Sequence, residues 1–85
     1  MKLIFAAQAW ADYLYWQQTD PKIMKRIHEL IKETGRNPTE GIGKPEPLRY
    51  ALAGYWSRRI TGEHRMVYKP TADGLLIAQL RYHYS

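Results

Sequence analysis

The chain has 85 residues, three tryptophans, seven tyrosines, no cysteine and a formal charge of +5. A chain this short buries only roughly 60% of the surface it exposes when unfolded, so residues 1–85 read as a single domain with one thin core. The absence of cysteine excludes disulfides and thiolate metal sites and is compatible with a reducing cytosol. No apolar run approaches the roughly 18 residues of a membrane span, and residues 1–5 are too short for the apolar region of a signal peptide.

Lys2–Phe5 reads as a short first strand. Residues 6–18 then turn helical, with Ala7, Trp10, Ala11 and Leu14 at the spacing of one face. Trp10 is expected in the core, while Tyr13, Tyr15 and Trp16 are open to a partner surface. Asp20 suits the cap of a second helix and Pro21 its first position, where no N–H is needed. Ile23, Met24, Ile27, Leu30 and Ile31 form its apolar stripe, with His28 at the boundary, and Gly35 fits a left-handed stop. Residues 37–47, with three prolines and two glycines, read as a loop in which Pro45 and Pro47 stiffen the chain around Glu46.

Residues 48–52 are expected to form a short strand, and residues 55–61 alternate, with Trp56 and Ile60 on one side and Ser57, Arg59 and Thr61 on the other. A three-residue loop of Gly62, Glu63 and His64 sets Arg65 opposite Thr61 and Val67 opposite Arg59, giving one apolar and one basic face. Asp73-Gly74 marks another hairpin. Residues 75–84 are the longest strand candidate, with an apolar run, 75–78, suited to burial on both sides. Helices first and antiparallel strands after predict an α+β fold: two helices on one face of a twisted, mainly antiparallel sheet of about four strands.

Charge is uneven along the chain. Residues 1–43 carry a net +1 and residues 44–85 a net +4, which points the second half toward a polyanion, nucleic acid before any other. Arg59, Arg65 and Arg81 offer guanidinium forks that match phosphate oxygens. Glu46 and His83 are a carboxylate and an imidazole suited to metal-free RNA cleavage, one taking the 2′-OH proton and the other protonating the leaving 5′-oxygen. Alternation along a regular strand puts His83 and Tyr84 on opposite faces, so the chain end must bend to bring both to one site. The three histidines have no ligand-like spacing, so neither metal nor cofactor is expected. These residues alone leave an RNA-binding module and an RNA-cleaving enzyme as competitors.

Several stretches carry a family resemblance. They are Trp10 with Asp12-Tyr13-Leu14-Tyr15-Trp16, Gly43-Lys44-Pro45-Glu46-Pro47-Leu48, Gly54-Tyr55-Trp56-Ser57-Arg58-Arg59-Ile60-Thr61, His64-Arg65 with Val67-Tyr68, and Arg81-Tyr82-His83-Tyr84. Over essentially its whole length the chain resembles the YoeB toxins of the RelE/ParE superfamily of bacterial toxin–antitoxin systems. The resemblance implies a RelE-like microbial ribonuclease fold and a cytoplasmic enzyme that cleaves mRNA in the ribosomal A site, leaving a 2′,3′-cyclic phosphate and a 5′-OH. It implies Glu46 as general base, His83 as general acid, Arg65 as stabiliser of the phosphorane and Tyr84 as an orienting group. Lys44, Arg49, Arg59 and Arg81 are implied as RNA or phosphate contacts, Arg49 standing where a lysine is familiar. A YefM-like antitoxin and a homodimer are the implied protein partners. A gyrase-directed toxin on the same fold is disfavoured, because that activity would not require Glu46, Arg65, His83 and Tyr84.

Overall fold

A pair of helices and a five-stranded sheet make up the computed structural model, which describes residues 1–83. In chain order the elements are β1 (Lys2–Phe5), α1 (Ala7–Thr19), α2 (Pro21–Arg36), β2 (Glu46–Pro47), a 3₁₀ turn (Tyr50–Leu52), β3 (Trp56–Arg59), β4 (Arg65–Pro70) and β5 (Gly74–Gln79). The sheet order is β1-β5-β4-β3-β2, with β1 parallel to β5 and the remaining pairs antiparallel. This is the expected α+β class with one strand more than anticipated, because the loop carrying Glu46 adds a two-residue edge strand. Among the described residues no helix is long and apolar enough to cross a membrane.

The second helix follows its sequence pattern closely. Asp20 alone separates the helices, and its carboxylate accepts the Lys22 and Ile23 N–H groups. Met24, Ile27, Leu30 and Ile31 are buried as the stripe requires. The helix does not stop at Gly35, however. It continues to Arg36 in ordinary geometry, and Asn37 closes it by donating to the Glu33 carbonyl. A Cβ at Gly35 would meet only the flexible, exposed end of Met1, which can move aside, so neither backbone conformation nor room demands glycine there.

The first helix is rotated from its expected phase. Ala9, Asp12 and Trp16 face inward, whereas Ala7, Ala11 and Leu14 are exposed and Trp10 is 50% exposed. Polar anchors set this phase. The Asp12 carboxylate accepts the Leu80 N–H at 3.0 Å, and the Trp16 indole N–H donates to the Leu80 carbonyl at 2.8 Å. Both backbone groups of one core residue are thereby satisfied by one helix face, which an apolar face could not do. Trp10 instead stacks on Tyr13, with Phe5 edge-on to both, along a shallow apolar groove of about 340 Å³. His28, an exposed boundary residue as expected, meets the Tyr13 hydroxyl at 3.0 Å.

The core joins these helices to one sheet face through Met66, Tyr68, Leu75, Ile77 and Leu80, with Trp56 packed at its side. Arg59 pairs with Arg65 and Ser57 with Val67, two residues away from the predicted register. Ile60 leaves the ladder to enter the core, and the Thr61 hydroxyl accepts the Glu63 and His64 N–H groups, making the connection longer. A slip of two preserves the face of every side chain. Residues 48–52 are not a strand: after the Leu48 N–H donates to Tyr55, the chain turns through Tyr50 at φ 57°.

The last strand is shorter than expected and ends at Gln79. Tyr68 pairs with Ile77, but Val67 pairs with Gln79, so Ala78 is an extra residue in the ladder. This bulge re-aims the chain beyond it: Leu80 enters the core and Gln79 turns to the opposite face. Leu75 and Ile77 are buried, whereas Leu76 and Ala78 on the other side are only half-buried. At the parallel seam a Cβ on Gly74 would stand 2.0 Å from the Lys2 carbonyl oxygen, so only glycine lets β1 approach so closely.

Candidate active site

The sheet face turned away from the helices carries Glu46, Arg59 and Arg65. Glu46 pairs with Ser57, Ser57 with Val67 and Val67 with Gln79, a row running across β2 to β5. Directly opposed residues of antiparallel strands share a face, and the next row holds Arg59 opposite Arg65. Two guanidiniums so placed repel each other unless an anion lies between or beside them.

Arg65 is buried, and its Nη1 lies 3.6 Å from Glu46 Oε1. Among the described residues its Nε and Nη1 are shielded from solvent without a hydrogen-bond partner, as are Ser57 Oγ, Arg59 Nε and Arg81 Nε. Buried polar atoms are normally paired, so the unsatisfied Arg65 and Arg59 nitrogens mark this part of the sheet as short of acceptors. The Glu46 side chain is about half exposed, and its pairing with Arg65 is correspondingly weak. Glu46 can therefore exchange that contact for one to a substrate.

Backbone geometry, more than proline stiffness alone, places Glu46. Gly43, at φ 82°, accepts the Arg59 N–H at 2.7 Å, and a Cβ there would meet Leu30 at 2.9 Å. Upstream, Arg58 is fully buried on the core side of β3. Its guanidinium donates to the carbonyls of Asn37, Glu40 and Ile42 and to the Tyr68 hydroxyl. One buried cation thus ties down the loop leading to Glu46. Burial pushes the Tyr68 phenol above its ordinary pKa, while hydrogen bonding and charge from Arg58 pull the other way.

The chain bends at Tyr82, ahead of His83. Tyr82 takes φ 63°, its N–H donates to His64 Nδ1 at 2.8 Å, and its carbonyl accepts the Arg65 N–H at 3.0 Å. The His83 backbone is therefore held one residue beyond a direct bond to Arg65, and the His83 side chain is exposed. Tyr84 lies outside the described residues. Arg81 does not extend freely: its guanidinium carbon sits 3.6 Å from the Tyr15 ring centre and 4.6 Å from that of Tyr82. Lys44 is exposed at φ 51° beside the Gly43–Arg59 contact, and Arg49 is exposed ahead of the 3₁₀ turn, with no polar contact to the other candidates among the described residues.

Four supporting residues had no assigned role from sequence. Arg58 had a legible signal, since strand alternation puts it on the same side as Trp56 and Ile60. His64 and Asp12 act through backbone groups distant in sequence and gave no local signal; Gln79 acts through the nearby carbonyls of Arg81, Tyr82 and His83, which it reaches because of the bulge at Ala78. Among the described residues no group of three or more His, Asp or Glu side chains is arranged to hold a metal.

Known proteins match this arrangement along the chain. The family model for "YoeB-like toxin of bacterial type II toxin-antitoxin system" matches residues 5–84. Toxin YoeB of Escherichia coli K12 is 64% identical over 84 residues, covering 99% of this chain and 100% of that one. The YoeB/ParE toxin from Agrobacterium tumefaciens superposes with a TM-score of 0.95 at 49% identity, covering 99% of this chain and 100% of that one. Staphylococcus aureus YoeB is similar both in a YoeB–YefM complex (TM-score 0.91, 48% identity) and as a YoeB dimer (0.92, 49%), each covering 99% of this chain and 98% of that one. Sequence, fold and the extent of the match agree: the chain belongs to the YoeB-like toxin family of bacterial type II toxin–antitoxin systems.

Proposed function

We propose that this chain is a ribosome-dependent endoribonuclease that cuts mRNA in the A site and so stops translation. The observation that carries the reading is the buried Arg65 guanidinium, without a full set of hydrogen bonds among the described residues, 3.6 Å from the half-exposed Glu46 carboxylate. A phosphodiester placed against Arg65 brings its neighbouring ribose toward Glu46. Glu46 takes the 2′-OH proton, the 2′-oxygen attacks phosphorus, and the bond to the 5′-oxygen breaks as His83 protonates that oxygen. The products are a 2′,3′-cyclic phosphate and a 5′-OH. Arg65, with Arg59 opposite, stabilises the added negative charge of the phosphorane. Lys44, Arg49 and Arg81 contribute RNA contacts and charge, and Tyr84 is assigned to phosphate orientation by the family resemblance alone.

The ribosome supplies what the open face lacks, namely a fixed RNA conformation against which two side chains can be aligned. The setting is the bacterial cytoplasm. The S. aureus complex and dimer support a YefM-like antitoxin and a second copy of the chain as partners.

The test is to map mRNA 5′ ends in a purified bacterial translation reaction with wild type, Glu46→Gln and His83→Ala. Cuts within the A-site codon with wild type, reduced on the order of 10²-fold or more in both variants, are expected. A protein that stalls translation without cutting, equally in all three forms, would instead be a binding module whose effect weakens steeply with salt.

A further inference from the structure

One member of the acid–base pair of the proposed reaction, His83, lies beyond the last rung of the sheet, which ends at Gln79. Gln79 holds the backbone there. Its side-chain nitrogen donates to the Arg81 carbonyl at 2.6 Å and the His83 carbonyl at 2.9 Å, with the Tyr82 carbonyl at 3.4 Å. An amide nitrogen has two hydrogens, so the shorter contacts use both donors. Gln79 reaches these carbonyls because the bulge at Ala78 turns it to the open face. In an unbulged ladder it would share the side of Leu75 and Ile77 and point into the core.

A second clasp lies across the same turn. His64 Nδ1 accepts the Tyr82 N–H, and a ring nitrogen that accepts carries no proton in this arrangement. The His64 ring is buried edge-on against Trp16, which is itself bonded to Leu80. Residues 80, 81, 82 and 83 thus each have a backbone group held by a side chain.

We infer that Gln79 is a positioning residue: it locks the left-handed turn at Tyr82 and so fixes where His83 presents its imidazole. The role rests on the proposed use of His83 in cleavage, whereas the lock can be measured apart from any reaction. The Gln79→Glu variant is nearly isosteric but turns an acceptor toward three carbonyls. Gln79→Ala removes the group without repulsion.

In the A-site cleavage assay, Gln79→Glu is expected to lower kcat on the order of 10²-fold, the scale of a misplaced catalytic group, with KM for programmed ribosomes changed less than about twofold. Gln79→Ala should lower kcat less, since water can satisfy the carbonyls. Backbone ¹⁵N relaxation should show residues 81–83 as rigid as β4 in wild type and mobile in Gln79→Glu, while the melting temperature stays within about 5 °C. Rigid residues 81–83 in both variants would overturn the lock. Mobile residues with unchanged kcat, or a raised KM with unchanged kcat, would overturn the positioning role. Should wild type and His83→Ala cut RNA alike, the cleavage reading fails instead, and the relaxation data still decide the lock.

Discussion

Replacing Arg58 by methionine tests whether one buried cation organises the approach to Glu46. Methionine replaces the aliphatic stem as far as Nε and keeps most of the apolar contact but removes every donor. The guanidinium makes three bonds to backbone carbonyls and one to the Tyr68 hydroxyl. Hydrogen bonds to charged groups contribute about 1.5–3 kcal/mol each, so the three carbonyl bonds alone amount to roughly 5–9 kcal/mol gross. Two effects reduce this. Burying a charge costs several kcal/mol, which the variant recovers, and Asn37, Glu40 and Ile42 lie on exposed loop that can turn its carbonyls to water. A net loss of about 3 kcal/mol is expected, lowering the melting temperature by about 12–24 °C for a domain of this size. Urea unfolding followed by tryptophan fluorescence measures it, with amide exchange in residues 37–45 showing whether the loop loosens first. A loss under about 1 kcal/mol with unchanged exchange would refute the reasoning, because the guanidinium's desolvation would then cancel its bonds.

Asp12→Ala leaves the buried Leu80 N–H without its acceptor and should cost about 1–3 kcal/mol in urea unfolding, whereas Asp12→Asn, which keeps an oxygen, should lose less. Equal losses would mean that carboxylate charge, not the bond to Leu80, anchors the helix. Gly74→Ala must push β1 off β5, since its Cβ would stand 2.0 Å from the Lys2 carbonyl; faster exchange of the Ala6 N–H, which bonds Ile77, reports it. The pKa of Tyr68 is raised on folding, first by burial. Its contribution is full below the unfolded value of about pH 10 and is lost as pH rises through the higher folded value. Tyr68→Phe should therefore remove this part of the alkaline loss of stability, compared by unfolding free energies from neutral pH to above about pH 10.

Legibility followed where each element's constraints lie. The second helix has its cap and apolar stripe in adjacent sequence, and both emerged as read. The first helix did not, because Asp12 and Trp16 are held by Leu80, nearly the whole chain away. Apolar periodicity among Ala7, Trp10, Ala11 and Leu14 misled because those side chains form an outward face. The hairpin register slipped by two yet kept Arg59 and Arg65 on the open side, since parity is all that alternation encodes. Glu46 and Arg65 were legible as candidates from residue type and resemblance, and their ion pair emerged only in the fold. The bulge at Ala78 left no trace in composition, so the long strand expected through residue 84 gave way to a bent chain end.

The strand order has a consequence for how the protein is made. β5 lies between β1 and β4 and is synthesised last of the five, while β1, made first, has only β5 for a partner. A nascent chain that has not yet released residues 74–79 leaves its first strand unpaired and cannot assemble the layer under its helices. Asp12 and Trp16 likewise wait for Leu80. Pairings this distant are slow to form and leave apolar surface open meanwhile. The arginine-bearing strands β3 and β4 thus gain the support of β5 last.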